Sequence, residues 1–162
     1  MHRTNPLPHP PMPYRYPAPG ACPFCAETAR DEAENPDGPV ILRTDHVVAL
    51  VPPRMRTWGA VAIVPHRHVP DAFHLTEDES RDAALVLRRV VRAVEAALDP
   101  DGLNVWWATG QLADQPLEHL LIEVAPRWER VPYTYTDWHD LPAADPAKRS
   151  ELASLLRERL HA

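Results

Sequence analysis

A single long stretch of helical periodicity occupies the middle of this 162-residue sequence. Thr76 and Glu79 form a capping box, which predicts a helix that begins at Glu77. Apolar residues then recur at helical spacing until Asp99-Pro100-Asp101-Gly102 ends the pattern near residue 98. The apolar face consists of Ala84, Leu85, Leu87, Val90, Val91, Val94 and Leu98. The other face carries or borders Arg81, Arg88, Arg89 and Arg92, for which we expect the role of a solvated charged surface.

Short apolar runs that are typical of strands lie on both sides of this helix. Residues 39–44, 46–51 and 60–64 precede it, and the prolines that follow the second and third runs are typical of antiparallel strands. We read these three runs as a meander. Residues 103–107 and 117–124 follow the helix and predict two further strands, joined by a polar connection.

A second helix is predicted at the C-terminus. Asp145 is suited to the N-cap position and Pro146 to the first helical position. Its narrow apolar stripe consists of Leu152, Leu155, Leu156 and Leu160. The order of strands, long helix, strands and final helix contains no repeated strand-helix-strand unit, which predicts the α+β class with an antiparallel sheet of about five strands.

The length and composition predict one domain. The chain has 44% apolar residues, but seven of its twenty prolines lie within residues 1–20, so we expect residues 1–20 to form a flexible arm. Residues 21–162 then form a single domain with a C-terminal helical extension. No apolar run could span a bilayer and no secretory signal is evident, which predicts a cytoplasmic protein without a membrane partner. The net charge of -6 argues against binding to polymeric DNA or RNA.

Cys22 and Cys25 are the two cysteines of the chain, and two residues separate them. Such a pair offers two thiolates to zinc, although a redox pair is an alternative. Two further ligands would come from His66, His68, His74, His119 and His139. Among these, His68 and His119 lie within or beside apolar runs, so the sheet should fix their positions. Histidines with satisfied hydrogen bonds are the competing interpretation.

The region from Cys22 to Arg127 resembles the histidine triad superfamily, including its galactose-1-phosphate uridylyltransferase branch. The resemblance depends on five features in the family's order: the cysteine pair, TDHVVAL at 44–50, VAIVPHRH at 61–68, DGLN at 101–104 and the closing Pro126-Arg127. It implies structural zinc bound by Cys22, Cys25, His68 and His119. It also implies a homodimer that pairs through the long helix and the adjacent strand.

The same resemblance aligns the three histidines of the family motif with His119, Leu121 and Glu123, on one strand. The middle position belongs to the family's nucleophile, and leucine has no lone pair to attack a phosphate. We therefore expect no covalent nucleotidyl-histidine. The surrounding pocket is altered as well, with Thr109 in place of an asparagine, Gln115 retained as a phosphate contact, and Trp107 where a smaller residue is usual. Leu121 and Arg127 complete the expected substrate-binding set.

Glu123 is the expected catalytic residue. A carboxyl group on the site face beside Leu121 would be desolvated, and the raised pKa would suit a general acid or base. It could instead pair with Arg127 or with a cationic ligand, or be an ordinary salt-bridged residue, while Arg54, Arg56 and Arg127 could hold an anion. The leading hypothesis is a diverged enzyme that acts on a small anionic or nucleoside-like metabolite. The alternatives are an inactive module for ligand binding or scaffolding, and a hydrolase that uses His66 as its nucleophile.

Overall fold

The structure is a computed structural model that describes residues 22–29, 37–110, 113, 115, 117–131 and 138–160. The expected N-terminal arm, residues 1–20, lies outside the described residues. The side chain of His139 is also outside them. None of the helices in the described ranges is both long enough and apolar enough to cross a membrane.

The elements follow the predicted order. They are α1 (Pro23–Thr28), β1 (Val40–Arg43), β2 (Val47–Leu50), β3 (Val61–Pro65), α2 (Glu77–Leu98), β4 (Gly102–Trp106), β5 (Ile122–Arg127) and α3 (Pro146–Leu160). Short 3₁₀ turns occur at Ala72–His74 and Trp138–Asp140. The long helix has the predicted bounds, with both bonds of the capping box formed between Thr76 and Glu79. Asp145 caps α3, since its carboxylate accepts a hydrogen bond from the backbone N–H of Ala147 at 2.8 Å.

The five strands form one antiparallel sheet in the order β1-β2-β3-β5-β4. The first three strands are consecutive neighbours, which confirms the meander. β5 lies between β3 and β4, so Glu123 has Ala62 on one side and Trp106 on the other. The α+β class and the five-stranded sheet are confirmed.

The prediction for residues 117–124 was partly wrong, because β5 begins only at Ile122. Residues 117–121 have no regular structure, although Leu117, His119 and Leu120 are buried. The backbone N–H of Leu120 donates to the carbonyl of Val69 at 2.7 Å, which is outside the sheet. The apolar run therefore reflects burial, and an apolar run alone does not distinguish a buried irregular segment from a strand.

The core has two parts, one on each face of the sheet. α2 and α3 pack on one face, where Val90 and Leu156 join Val47, Ile63 and Val124. On the other face Val48, Ala62 and Val64 pack with Phe24 of α1 and with Trp138. Alternate residues of each strand supply the two parts, as expected from a period of two. The second part lies beside the cysteines, because Cys22 and Leu121 pack against it.

Gly59 ends the loop that joins β2 to β3, with a positive φ of 87°. A Cβ atom at this position would clash with the side chain of Leu98 and lie 3.0 Å from Pro126 Cγ. The loop can therefore approach the end of α2 only with glycine here. The same loop carries Arg56, so Gly59 helps to position that side chain.

Replacing Gly59 by alanine should lower the free energy of unfolding by about 1–2 kcal/mol, since left-handed backbone costs that much when a Cβ is present. Gly102→Ala is the matched control, because a Cβ there meets nothing within 4 Å and φ is not positive. Urea unfolding of both variants tests this. Equal stability losses in the two variants would contradict the assignment.

Candidate functional site

Two cysteines and two histidines converge beside the second part of the core. Cys22 is the N-cap of α1, and its sulfur accepts a hydrogen bond from the backbone N–H of Cys25 at 3.5 Å. The first turn of this short helix presents both sulfur atoms together. His68 and His119 complete the group, and one ligand atom from each residue lies within 4.8 Å of all the others.

His119 is outside the sheet, although the predicted strand 117–124 included it, whereas His68 lies beyond the end of β3 as expected. His68 follows β3 by three residues and His119 precedes β5 by three. β3 and β5 are antiparallel neighbours with Ile63 opposite Ile122, so the end of one lies beside the beginning of the other. This register brings the two flanking segments to the same edge of the sheet, where α1 contributes the cysteines.

The distances between ligand atoms match a tetrahedral metal site. Cys22 Sγ lies 3.3 Å from His119 Nδ1, and Cys25 Sγ lies 3.1 Å from His68 Nδ1 and 3.5 Å from His119 Nδ1. With typical zinc bond lengths, a sulfur and a nitrogen on one tetrahedral edge are about 3.6 Å apart. These four residues can therefore hold a metal ion after a small expansion of the group.

His119 is oriented for metal binding by its second ring nitrogen. The imidazole is fully buried, and Nε2 lies 3.0 Å from the carbonyl oxygen of Pro65. Nε2 must carry the proton in this bond, because a carbonyl can only accept, so Nδ1 presents its lone pair to the thiols. Burial lowers the pKa of His119 to about 4, which keeps the ring neutral near pH 7.

Burial also raises the pKa of Cys25 to about 11, with the hydrogen bond and the charge of Cys22 as further causes. Removing the protons of both thiols would place two negative charges side by side. This is unfavourable unless a cation compensates the charge. Both are free thiols. The combination of two thiols and two imidazoles is a donor set that soft or borderline divalent ions prefer.

A buried ion pair lies on the same face of the sheet. Glu123 Oε2 accepts a hydrogen bond from Arg56 Nη1 at 2.6 Å, and the two side chains are 7% and 5% exposed. Burial raises the pKa of Glu123, although the charge and the hydrogen bond of Arg56 oppose the shift. A raised pKa for Glu123 agrees with the expectation from the sequence. The ionic partner is Arg56, which that analysis named only as a possible anion holder.

The three aligned triad positions are not on one strand, because only Glu123 lies in β5. His119 and Leu121 precede the strand. Leu121 is partly buried and packs against the second part of the core. The three positions therefore carry different groups. His119 has an imidazole bound to thiols, Leu121 has an alkyl side chain, and Glu123 has a carboxylate bound to a guanidinium group.

The amide of Gln115 is hydrogen-bonded to three backbone groups, of which two are in its own loop and one is at Pro70. Its Oε1 accepts from the backbone N–H of Gly110 at 2.7 Å, and its Nε2 donates to the carbonyls of Leu117, at 2.7 Å, and Pro70. Thr109 Oγ1 accepts from the backbone N–H of Ala72 at 3.3 Å. Gln115 and Thr109 thus both support the loop at 70–72.

The remaining expected ligand-binding residues, Trp107 and Arg127, lie at the ends of β4 and β5, and His66, the alternative nucleophile, follows β3. Trp107 follows β4 and is 53% exposed. Arg127 ends β5, on the same face as Glu123 and about 13 Å further along the strand. His66 is engaged at the end of β3, with Nε2 2.9 Å from the carbonyl of Thr44 and Nδ1 3.4 Å from Arg43 Nη1.

Phe24 is a site residue that the sequence analysis did not single out. It lies between the two cysteines, is buried, and makes an edge contact with the ring of His119 at 6.3 Å between centroids. Its place in the Cys-Pro-Phe-Cys sequence was the available signal. No sequence pattern could have identified the Pro65 carbonyl as the partner of His119, because the backbone oxygen that accepts from a histidine ring depends on the folded structure.

Comparisons with known proteins agree on one family. A model of the HIT domain matches residues 32–129. AP-4-A phosphorylase of Mycobacterium tuberculosis is 30% identical over 128 residues, which cover 78% of this chain and 65% of that protein. Bis(5'-adenosyl)-triphosphatase of Dictyostelium discoideum is 32% identical over 88 residues, which cover 54% of this chain and 59% of that protein. The chain thus spans less than two thirds of these two relatives.

Comparison with solved structures indicates the same family. A Zn-bound histidine triad family protein from Mycobacterium smegmatis superposes with a TM-score of 0.69 at 25% sequence identity. The superposition covers 87% of this chain and 94% of that one. The similarity extends well beyond the residues that the family model matches.

The Arg56–Glu123 pair gives a stability prediction. Arg56→Met should lower the free energy of unfolding by about 3–5 kcal/mol, because it leaves a buried carboxylate without its partner. In the double variant Arg56→Met/Glu123→Leu, most of this loss should be recovered. Arg81→Met is the control, since its exposed pair with Asp78 should contribute less than about 1 kcal/mol. Urea unfolding measures all three, and a double variant as unstable as the single one would contradict the pairing.

Proposed function

The chain belongs to the HIT domain family, and from that premise we propose that it binds a nucleoside-phosphate-like small molecule without forming a covalent nucleotidyl-histidine. One observation carries the proposal: none of the three aligned positions presents a free nucleophile. His119 faces the thiols, Leu121 is apolar, and Glu123 is paired with Arg56. The ligand class comes from relatives named for diadenosine polyphosphates.

We propose zinc as the metal of the Cys22, Cys25, His68 and His119 site. Two thiolates and two imidazoles in a tetrahedral group are the donor set of structural zinc sites. Four protein ligands leave no open position, so the ion would connect α1, the segment after β3 and the segment before β5. Zinc would then stabilise the fold beside the pocket and take no part in catalysis.

The proposed ligand contacts are suited to binding more than to turnover. Leu121 would supply an apolar surface, Trp107 an exposed ring for stacking, and Arg127 a cation for phosphate. The bonds of Gln115 and Thr109 to the loop at 70–72 favour a supporting role for both. This arrangement favours a ligand-binding member of the family over the diverged enzyme that the sequence suggested first.

An enzyme remains the second candidate because of Glu123. Its raised pKa is a property that a general acid or base requires. In this mechanism, Arg56 would exchange the carboxylate for an anionic group of the substrate, and the released Glu123 would then move a proton. Leu121 still excludes attack by a histidine at that position.

The wider organisation is also proposed. Residues 21–162 form one domain of a cytoplasmic protein. The domain pairs as a homodimer through β4 and the adjacent part of α2. β4 is at the edge of the described sheet, and Val105 on this strand is an exposed apolar residue. Unpaired edge strands with exposed apolar residues are suited to such pairing.

For zinc, elemental analysis of the purified protein should find about one ion per chain. Cys22→Ser should lose it, because three ligands hold the ion much more weakly than four. His74→Ala is the control, since His74 is exposed and hydrogen-bonded to Asp71. Undiminished zinc in Cys22→Ser would show that the site is assigned wrongly.

For the ligand, a thermal-shift screen of mono-, di- and dinucleoside polyphosphates should reveal a binder, because a ligand at 100 times its Kd stabilises the native state by about 2.7 kcal/mol. Incubation with α-labelled nucleotide should leave no acid-labile label on the protein. A phosphoramidate adduct would contradict the argument from Leu121.

Glu123→Gln separates the two candidates because it preserves shape and removes the proton-transfer group. If the wild type hydrolyses a bound nucleotide and this variant does not, while ligand affinity is unchanged, the enzyme replaces the binding protein as the correct function.

A further inference from the structure

Four arginines converge on a groove between α2 and α3. The groove has a volume of about 510 Å³, and Arg88, Arg89 and Arg92 of α2 line it together with Arg159 of α3. Glu95 is the one carboxylate among its described lining residues. The sequence alone suggested a solvated face for the α2 arginines, and it gave no reason to group Arg159 with them.

The two helices bring these side chains together for simple geometric reasons. Arg88 and Arg92 are four residues apart and Arg89 and Arg92 three, so the three side chains are neighbours on one side of α2. Arg159 lies in the last turn of α3, which packs beside α2. Arg157, two residues earlier in α3, has its own partners, because its guanidinium group donates to the carbonyls of Gly38 and Val40.

The positive charge in the groove is not neutralised. Among the residues that the structure describes, none of the four guanidinium groups has a hydrogen-bond or ion-pair partner. Arginines elsewhere are paired, as in Arg81 with Asp78 and Arg67 with Glu79. Like charges at this helical spacing repel. In a chain of net charge -6, four of the cationic side chains thus lie together on one groove.

We propose that this groove binds the oligophosphate group of a small molecule. Guanidinium forks match pairs of phosphate oxygens, and four of them complement an anion with three or four charges. The volume is within the usual range for small-ligand sites. A long nucleic acid would be repelled by the remaining acidic surface, so the anion is short.

This site is distinct from the pocket described above. The groove lies in the helical layer, whereas Cys22 and Leu121 pack on the opposite face of the sheet. Its occupation therefore does not depend on the proposed function, and either proposal can fail without the other.

Isothermal titration of the full, metal-loaded chain with sodium tripolyphosphate tests the proposal. Wild type should bind one equivalent saturably at physiological salt. Arg88→Gln/Arg92→Gln and Arg159→Gln should each weaken binding by at least about tenfold, because charge-assisted hydrogen bonds are lost. All these side chains are exposed, so the variants should fold. Glu95→Gln should tighten binding by removing the carboxylate from the groove.

Arg81→Gln is the matched control, since Arg81 is on the same helix but outside the groove and paired with Asp78. It should leave affinity unchanged. Titrations with ATP and adenosine distinguish the source of the phosphate. ATP binding that the groove variants weaken points to the phosphate tail of a nucleotide. Binding of tripolyphosphate alone points to free oligophosphate. Lack of saturable binding, binding that the groove variants do not change, or an equal loss in Arg81→Gln overturns the proposal.

Discussion

The imidazole of His119 connects the parts of the molecule on which the site depends. One ring nitrogen is bonded to the carbonyl of Pro65 at the end of β3, and the other faces the thiols of Cys22 and Cys25 in α1. Because the ring is fully buried, each of these contacts replaces water, and a missing partner would leave a polar atom unsatisfied. The irregular segment before β5 is therefore held between the sheet and α1, which sets the position of Leu121 and the start of the strand that carries Glu123.

On the face of the sheet beside the cysteines, Leu121 packs against the second part of the core, and Arg56 and Glu123 form a buried ion pair. Glu123 is stabilised by a cation from the loop that Gly59 holds close to α2. These two charges thus neutralise each other within the chain.

Much of the fold could be predicted from the sequence because its signals are local. The capping box of α2 acts within one turn, and the helix has the predicted bounds. The predicted apolar face was partly wrong, since Ala84 and Leu85 are exposed and Ala83 and Val86 are buried instead. The prolines after the second and third apolar runs indicated the strand ends of the meander. The extent of β5 could not be predicted, since a buried irregular segment and a strand have the same apolar composition. The grouping of Cys22, Cys25, His68 and His119, which could hold a metal ion, was expected from the family resemblance. The pairing of Arg56 with Glu123 and the approach of Arg159 to α2 depend on packing between distant segments, which no local pattern records.

The central claim is that these two cysteines and two histidines together bind one zinc ion in a closed site. X-ray absorption at the zinc edge of the purified protein tests it directly. The account predicts two sulfur neighbours at about 2.3 Å and two nitrogen neighbours at about 2.0–2.1 Å, with no bound water. A shell made only of nitrogen and oxygen, or a spectrum that is unchanged in His119→Ala, would contradict it.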